Sequence, residues 1–91
     1  MTQPGWDLVV AGPARRAIDR LPGKVAIAVL DFLLGPLVEN PHRVGKPLRG
    51  DLAGLHSARV GAYRVVYEIS DADLTVRVIY IDHRADVYRP R

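Results

Sequence analysis

Three side chains that could act on a phosphate lie close together near the C-terminus, in the stretch DHRADVY at positions 82–88. His83 is the residue type whose unperturbed pKa lies near neutrality, so it can donate or accept a proton. Arg84 supplies a fixed positive charge, and Tyr88 a phenol that can stack on a base or donate a hydrogen bond. This combination predicts a phosphate site, and the alternative is a histidine that caps a strand end at the surface.

Positive charge is concentrated in the middle of the chain. The 91 residues include 13 Lys and Arg against 10 Asp and Glu, for a net charge of +3. Between positions 42 and 64 the basic residues are Arg43, Lys46, Arg49, Arg59 and Arg64, against the single carboxylate of Asp51. Such a patch favours nucleic-acid phosphates. The alternative is a solvated basic surface without a ligand.

Size and composition predict one domain over residues 1–91, because the chain is too short for a second core. The hydrophobic fraction of 48% and charged fraction of 25% are typical of a soluble globular protein. Without cysteine there is neither a disulfide nor a thiolate metal site, and three scattered histidines form no metal motif. We therefore expect no metal and no cofactor. We see neither a basic leader nor a membrane-length apolar run, so we expect a cytoplasmic protein without a membrane partner.

The hydrophobic pattern predicts an α+β fold that positions these residues. Apolar residues alternate in WDLVV, which predicts a first strand, and then recur at helical spacing in two segments separated by Pro22–Gly23. These two helices form a hairpin. Three strand segments follow at positions 55–59, 63–69 and 74–82, and they predict an antiparallel three-stranded meander in one small sheet. The segment 40–54 has two Pro and three Gly, and we predict a long basic loop there.

Alternation along the last two strands predicts which side chains share a face of the sheet. Matching the more apolar sets places Tyr63, Tyr67 and Tyr80 against the helices. If the alternation continues unbroken, His83 lies with Arg64 on the opposite, uncovered face. The other side chains expected on that face are Leu55, Ser57, Arg59, Glu68 and Arg77. The alternative is a solvated sheet face on which Glu68 and Arg77 pair across strands.

This element order, together with KPLRGDLAGLHSARVGAYRVVYEI and the terminal HRADVY, resembles the RelE/ParE superfamily of toxins from type II toxin–antitoxin modules. The resemblance extends from the helical hairpin to Tyr88. It implies a RelE-like fold and neutralisation by a cognate antitoxin, with operator DNA reached only through the antitoxin complex. The RelE branch implies a ribosome-dependent endonuclease that cuts mRNA in the ribosomal A site and inhibits translation. Two alternatives stay open: a ParE-like noncatalytic toxin that poisons DNA gyrase, and a degenerate toxin that acts with its antitoxin as an operon corepressor.

The resemblance also assigns roles to single residues. The arginines and the tyrosine of the family pattern correspond to Arg59, Arg64, Arg84 and Tyr88. Two second-strand lysines of the best-known RelE pattern are replaced here by Leu55 and Ser57, which argues against a lysine base. Related branches use a histidine near the C-terminus, and His83 can take that part.

These residues are sufficient for a metal-independent endoribonuclease, because RNA supplies its own nucleophile, the 2′-hydroxyl. We expect Arg64 and Arg84 to bind the scissile phosphate and stabilise its added charge. We expect His83 to act as base or acid, and Tyr88 to stack on a base or hold a proton. Lys46, Arg49 and Arg59 are expected to contact RNA or the ribosome. His42 and His56 receive no role.

The second predicted helix, from Lys24 to Asn40, is apolar around nearly its whole circumference. Val29 and Leu33 can face the sheet, but one sheet face cannot also bury every other apolar residue of the helix. The residues in excess are Ile27, Leu30, Leu34 and Leu37. They indicate either close packing in the core or a docking surface for the antitoxin.

Overall fold

The computed structural model describes residues 5–83, which form an α+β domain with a five-stranded sheet. The strands are β1 (Asp7–Val10), β2 (Lys46–Pro47), β3 (Leu55–Val60), β4 (Tyr63–Ser70) and β5 (Thr75–His83). The helices are α1 (Gly12–Arg20), α2 (Gly23–Phe32) and the short α3 (Pro41–Val44). A π-helical segment (Leu33–Leu37) continues α2, and a 3-10 turn spans Gly50–Leu52. The predicted α+β fold is confirmed.

The sheet has the strand order β1-β5-β4-β3-β2. Strands β3, β4 and β5 form the predicted antiparallel meander, and β1 pairs with β5 in parallel. The predicted loop 40–54 instead contains α3, the 3-10 turn and β2, which pairs with the outer edge of β3. A two-residue strand that ends in Pro47 shows no alternation in the sequence, so its pairing is evident only from the structure.

The helices cover one face of the sheet, where the core lies. Val29, Leu33 and Leu37 follow one another at four-residue spacing, so they form one stripe on the α2 side and are at most 1% exposed. They pack with Val65 and Tyr67 of β4 in the core cluster. Leu37, expected among the residues in excess, is therefore part of the core. Ile27, Leu30 and Leu34 remain 63%, 41% and 67% exposed.

The π-helical turn at the end of α2 contains Pro36. Proline has no backbone N–H, so a regular α-helical hydrogen bond cannot form at this position. A wider turn is one way for a helix to accommodate such an interruption. The helical path continues through it, and Leu37 reaches the core.

A β-bulge interrupts the pairing of β4 with β5 at Ile79. Val66 pairs with Tyr80 and Tyr67 pairs with Val78, so Ile79 is an extra residue on β5. Such a residue reverses the alternation for everything beyond it. The side chains from Thr75 to Val78 lie on the faces that the sequence predicts. Beyond Ile79, each side chain lies on the face opposite to the predicted one. Tyr80, expected against the helices, lies instead on the opposite face.

Candidate nucleic-acid interface

The face of the sheet opposite the helices, called here the open face, consists of cross-strand rows of side chains. Partners in paired strands point to the same side, so each row is a set of neighbours. The first row is Arg59, Arg64 and Asp82; the second is Lys46, Ser57, Val66 and Tyr80; the third is Leu55, Glu68, Arg77 and Val9. The arginines predicted for this face are therefore on it, with Arg59 and Arg64 in the first row and Arg77 in the third.

The first row places two arginines side by side. Arg59 and Arg64 are direct cross-strand partners at the end of the β3–β4 hairpin. Like charges directly opposite one another are destabilising, and a bound anion removes that repulsion. The Arg64 Nε atom is buried and has no hydrogen-bond partner among the residues that the structure describes. Two adjacent guanidinium groups, one of them with an unused donor, form a site suited to a phosphate.

A carboxylate stands on the other side of Arg64 in the same row. Asp82 is its cross-strand partner on β5. Without the bulge at Ile79, Asp82 would lie on the helix-covered face, where a carboxylate is costly to bury. The bulge therefore supplies one negative charge beside two positive ones, which leaves the first row net positive.

The second row begins with Lys46 on the edge strand β2, whose position depends on the preceding turn. The Tyr67 hydroxyl donates a 2.8 Å hydrogen bond to the carbonyl oxygen of Pro41 in α3. Burial raises the pKa of Tyr67 to about 12, so the phenol keeps the proton that it donates. A Cβ on Gly45 would come within 2.7 Å of the Ser57 carbonyl oxygen and closer still to the Tyr67 hydroxyl. Only glycine lets the chain pass here and present Lys46 on the open face.

The third row contains an ion pair, and the basic region ends there. Arg77 Nε lies 3.4 Å from Glu68 Oε1, as the predicted cross-strand pairing required. Both side chains are about half exposed, so the pair contributes little to stability. Its effect is to neutralise Arg77, which confines the excess positive charge to Arg59, Arg64 and Lys46.

His83 is not on the open face, contrary to the sequence-based expectation. It is the cross-strand partner of Tyr63, and their ring centroids are 5.0 Å apart at 83°. Tyr63 packs against the helix-side core, so His83 points to that side too. The cause is Ile79, because the extra residue shifts His83 to the opposite side of β5.

The remaining predicted residues are not in the rows. Arg49 is exposed just before the 3-10 turn, in the segment that the Leu48 N–H to Leu55 carbonyl hydrogen bond (2.8 Å) attaches to β3. Arg84 and Tyr88 lie outside the described residues.

A second cluster of polar aromatic residues was missed by the sequence analysis. His42 Nε2 donates to Asp71 Oδ1 at 2.7 Å, while the His42 ring meets the rings of Trp6 and His56 edge-on. His56 stacks on Tyr67 with a centroid distance of 5.6 Å. Burial, and to a lesser extent the nearby His42, lowers the pKa of His56.

This cluster joins segments far apart in sequence, since His42 and Asp71 are 29 positions apart. It connects α3 to the β4–β5 turn, and no local pattern could have shown it. Within residues 5–83, no group of three or more acidic, histidine or cysteine side chains could hold a metal ion. In the same part of the chain, no helix is long and apolar enough to cross a membrane.

The helical side carries an exposed apolar surface. Its members are Ile27, Leu30 and Leu34 of the second helical segment. Beside it lies an open groove of about 360 Å³ lined by Val10, Arg15, Ile18, Asp19 and Leu30. The excess apolar residues of the second helix are thus divided, with Leu37 in the core and the other three on the surface.

Known proteins match this chain over most of its length. The sequence model of the family described as ParE toxin of type II toxin-antitoxin system, parDE, matches residues 8–88. Toxin RelE of Mycobacterium tuberculosis is 51% identical over 84 residues, 92% of this chain and 87% of that protein. Toxin RelG of the same organism is 51% identical over 76 residues, 84% of this chain and 87% of its own length.

A solved structure agrees with the sequence matches. A chain of the toxin–antitoxin complex RelBE2 from Mycobacterium tuberculosis is 43% identical to this chain with a TM-score of 0.85. The match covers 89% of this chain and 100% of that one. The family model, the sequence matches and the structural match therefore agree over most of the chain. The chain belongs to the ParE toxin family of type II toxin–antitoxin systems, within the RelE/ParE superfamily.

Proposed function

We propose that this toxin is a ribosome-dependent endoribonuclease that cuts mRNA in the ribosomal A site and thereby inhibits translation. The observation that carries the proposal is the side-by-side placement of Arg59 and Arg64 on the sheet face opposite the helices. The similarity to toxins named RelE and RelG supports it. The open face has few reactive groups of its own, so the ribosome is expected to complete the geometry around the mRNA.

The reaction is attack of the 2′-hydroxyl on the adjacent phosphorus, with departure of the 5′-oxygen. The phosphate gains negative charge on the way to the transition state. Arg64 and Arg59 stabilise that charge from the open face, with Arg84 as a further cation. The products are a 2′,3′-cyclic phosphate and a free 5′-hydroxyl, and no metal ion is required. Lys46 and Arg49 hold the RNA backbone or the ribosome.

His83 and Tyr88 complete the proposed site. His83 is proposed as base or acid, and it lies at the end of β5, one residue beyond the first row. Its ring is on the Tyr63 side. It can therefore reach a phosphate on the open face only by extending around the end of the sheet. Tyr88 is proposed to stack on a base or hold a proton.

The experiment is single-turnover cleavage of mRNA on programmed ribosomes, with the same RNA in solution for comparison. We expect cleavage on ribosomes and almost none without them. Arg64→Ala should lower the rate by roughly 10²–10³-fold, the usual cost of removing one donor to a developing anion. Arg77→Ala is the matched control, because it removes an arginine of the same face that is already paired with Glu68. Equal cleavage with and without ribosomes, or equal losses in both variants, would reject the proposed mechanism.

Gyrase poisoning is the second candidate function, because the matching family is named for ParE. In that case the protein would cause DNA breaks that require gyrase and would leave ribosome-bound mRNA intact. Translation and DNA supercoiling followed separately after expression distinguish the two functions. A toxin that alters neither process but represses its operon with the antitoxin would fit the corepressor alternative.

The partner we infer is a cognate antitoxin, which would also be the only route to operator DNA. Ile27, Leu30 and Leu34 offer it an apolar docking surface next to the groove lined by Arg15 and Asp19. The similar RelBE2 structure is a toxin–antitoxin complex. Hydrogen exchange with and without the antitoxin should show protection on α2 or on the open face. Protection on neither would place the docking surface elsewhere. With mRNA and ribosomes as targets, the site of action would be the cytoplasm.

A further inference from the structure

We propose that the Tyr80 ring, beside its buried cross-strand partner Val66, forms a nucleobase-stacking platform on the open face, and that an mRNA base next to the scissile phosphate stacks on it. This inference deepens the proposed function and rests on it. It assigns Tyr80 as a positioning residue for the RNA substrate, separate from the cations that bind the phosphate.

Tyr80 lies on the open face. Its cross-strand partner is Val66, which in turn pairs with Ser57, and both belong to the second row of that face. The bulge at Ile79 is what brings the ring to this side, since regular alternation would direct it into the core. The aromatic ring thus stands on the side of the sheet opposite α1 and α2.

Tyr80 supplies the accessible surface of the platform. Its side chain is partly exposed, whereas Val66 beside it is completely buried. A partly exposed aromatic ring is a surface on which bases stack, and the buried valine supports it from the neighbouring strand. Sheet aromatics that stack bases are a common means of holding single-stranded RNA.

The platform lies next to the cations of the first row. Arg64 is diagonal to Tyr80, because Arg64 pairs with Asp82, two residues farther along β5. Diagonal neighbours are about 7–8 Å apart between Cα atoms, within reach of long side chains. A phosphate held by Arg64 and Arg59 therefore has an aromatic surface beside it, and Lys46 lies at the other end of the same row as Tyr80. Positive charge on both sides of an apolar platform complements an RNA strand, whose charge is on the backbone and whose bases are apolar on their faces.

The test measures single-turnover cleavage on programmed ribosomes with Tyr80→Leu and Tyr80→Phe. Leucine is apolar but cannot stack as an aromatic does, so Tyr80→Leu should lower the rate at subsaturating toxin by roughly 5–150-fold, the equivalent of about 1–3 kcal/mol. Phenylalanine keeps the ring, and Tyr80→Phe should stay within about twofold of wild type. Urea unfolding of both variants verifies that they are folded. A Tyr80→Leu protein that is folded and cleaves at the wild-type rate would overturn the inference.

A double-mutant cycle separates stacking from a structural role. The second change is made in the mRNA, by replacing each A-site base in turn with an abasic nucleotide that keeps the backbone. At the position that stacks on Tyr80, the loss of the base and Tyr80→Leu should together cost little more than either one alone. Fully additive losses at every position would mean that Tyr80 acts only through the fold, and would overturn the inference.

A binding measurement that needs no cleavage distinguishes failure of the proposed nuclease function from failure of the proposed platform. A short 2′-O-methyl RNA containing 2-aminopurine is titrated with wild-type and variant protein. Fluorescence quenching that is present in wild type and Tyr80→Phe but reduced at least fivefold in Tyr80→Leu supports the platform even if no cleavage occurs on ribosomes. Quenching unchanged by Tyr80→Leu, together with normal cleavage, would retain the nuclease and reject the platform.

Discussion

His83 and Tyr63 face one another across β5 and β4, with ring centroids 5.0 Å apart and planes nearly perpendicular. The histidine proposed to transfer a proton is thus on the helix side of the strand end. The two cations of the neighbouring row, Arg59 and Arg64, are on the open face. A nuclease that used His83 for proton transfer would have to bring it around the end of the sheet.

Two variants, His83→Gln and Tyr63→Leu, test whether His83 transfers a proton or only packs against Tyr63. If His83 transfers a proton, His83→Gln should lower the single-turnover rate by about 10²–10⁴-fold. Tyr63→Leu removes the ring against which His83 packs but leaves the His83 imidazole in place, so we expect a loss below about tenfold and a lower urea midpoint. Equal rates for wild type and a folded His83→Gln protein would restrict His83 to a packing role.

The bulge at Ile79 can be removed by deletion without exchanging the two faces of β5. In a protein that lacks Ile79, Tyr80 follows Val78 directly, so Tyr80 can keep Val66 as its partner and Asp82 can keep Arg64. We therefore expect the deletion variant to fold with Tyr80 and Asp82 still on the open face. Ile79→Val keeps the residue count and should cost less than about 1.5 kcal/mol. Urea unfolding compares the two variants, and an unfolded deletion variant would show that the bulge itself is required for the fold.

Gly45 should be intolerant of any side chain, although its backbone is in an ordinary extended region. Gly45→Ala forces Cβ against the Ser57 carbonyl and the Tyr67 hydroxyl, and such overpacking costs typically about 1–3 kcal/mol. Gly23→Ala is the control, because a Cβ at that position would have nothing within 4 Å, and we expect no loss of stability. Thermal unfolding of the two variants checks the difference. Since β2 follows Gly45, the Gly45→Ala protein should also bind RNA more weakly.

Stability should fall as the solution is acidified through the range in which His56 titrates. Burial holds the folded-state pKa of His56 below its unfolded value of 6.5, so the unfolded chain takes up the proton first. The full contribution is present above about pH 6.5 and is lost as the pH falls toward the folded pKa. His56→Phe keeps the stacking on Tyr67 but cannot titrate, so its urea midpoint should change less than that of wild type between about pH 7.5 and pH 5.5.

The control for this pH experiment is His42→Gln, which removes the interaction with Asp71 and leaves His56 in place. His42→Gln should lower stability at neutral pH while keeping a pH dependence from His56. If His56→Phe has the same pH dependence as wild type, another group is responsible.

Sequence alone determined the features that depend on local patterns. The α+β fold, the helical hairpin divided at Pro22–Gly23 and the antiparallel meander follow from hydrophobic periodicity and from residues that end helices. The Glu68–Arg77 pair follows from period-two alternation, because no irregularity separates these residues from the β4–β5 turn. Arg59 and Arg64 were correctly placed on one face for the same reason.

Only the tertiary structure shows where the alternation of side chains along β5 is interrupted. Ile79 is a β-branched residue like Val78 and Ile81 of the same strand, so nothing local indicates that it is unpaired. It is recognised only when β5 is aligned with β4. That single extra residue sends Tyr80 and Asp82 to the open face and His83 to the helix side. The contact of His42 with Asp71 and the close approach of Gly45 to the Tyr67 hydroxyl likewise join residues far apart in the chain. Local propensity acts over a few residues, whereas these contacts exist only after the chain has closed into a sheet.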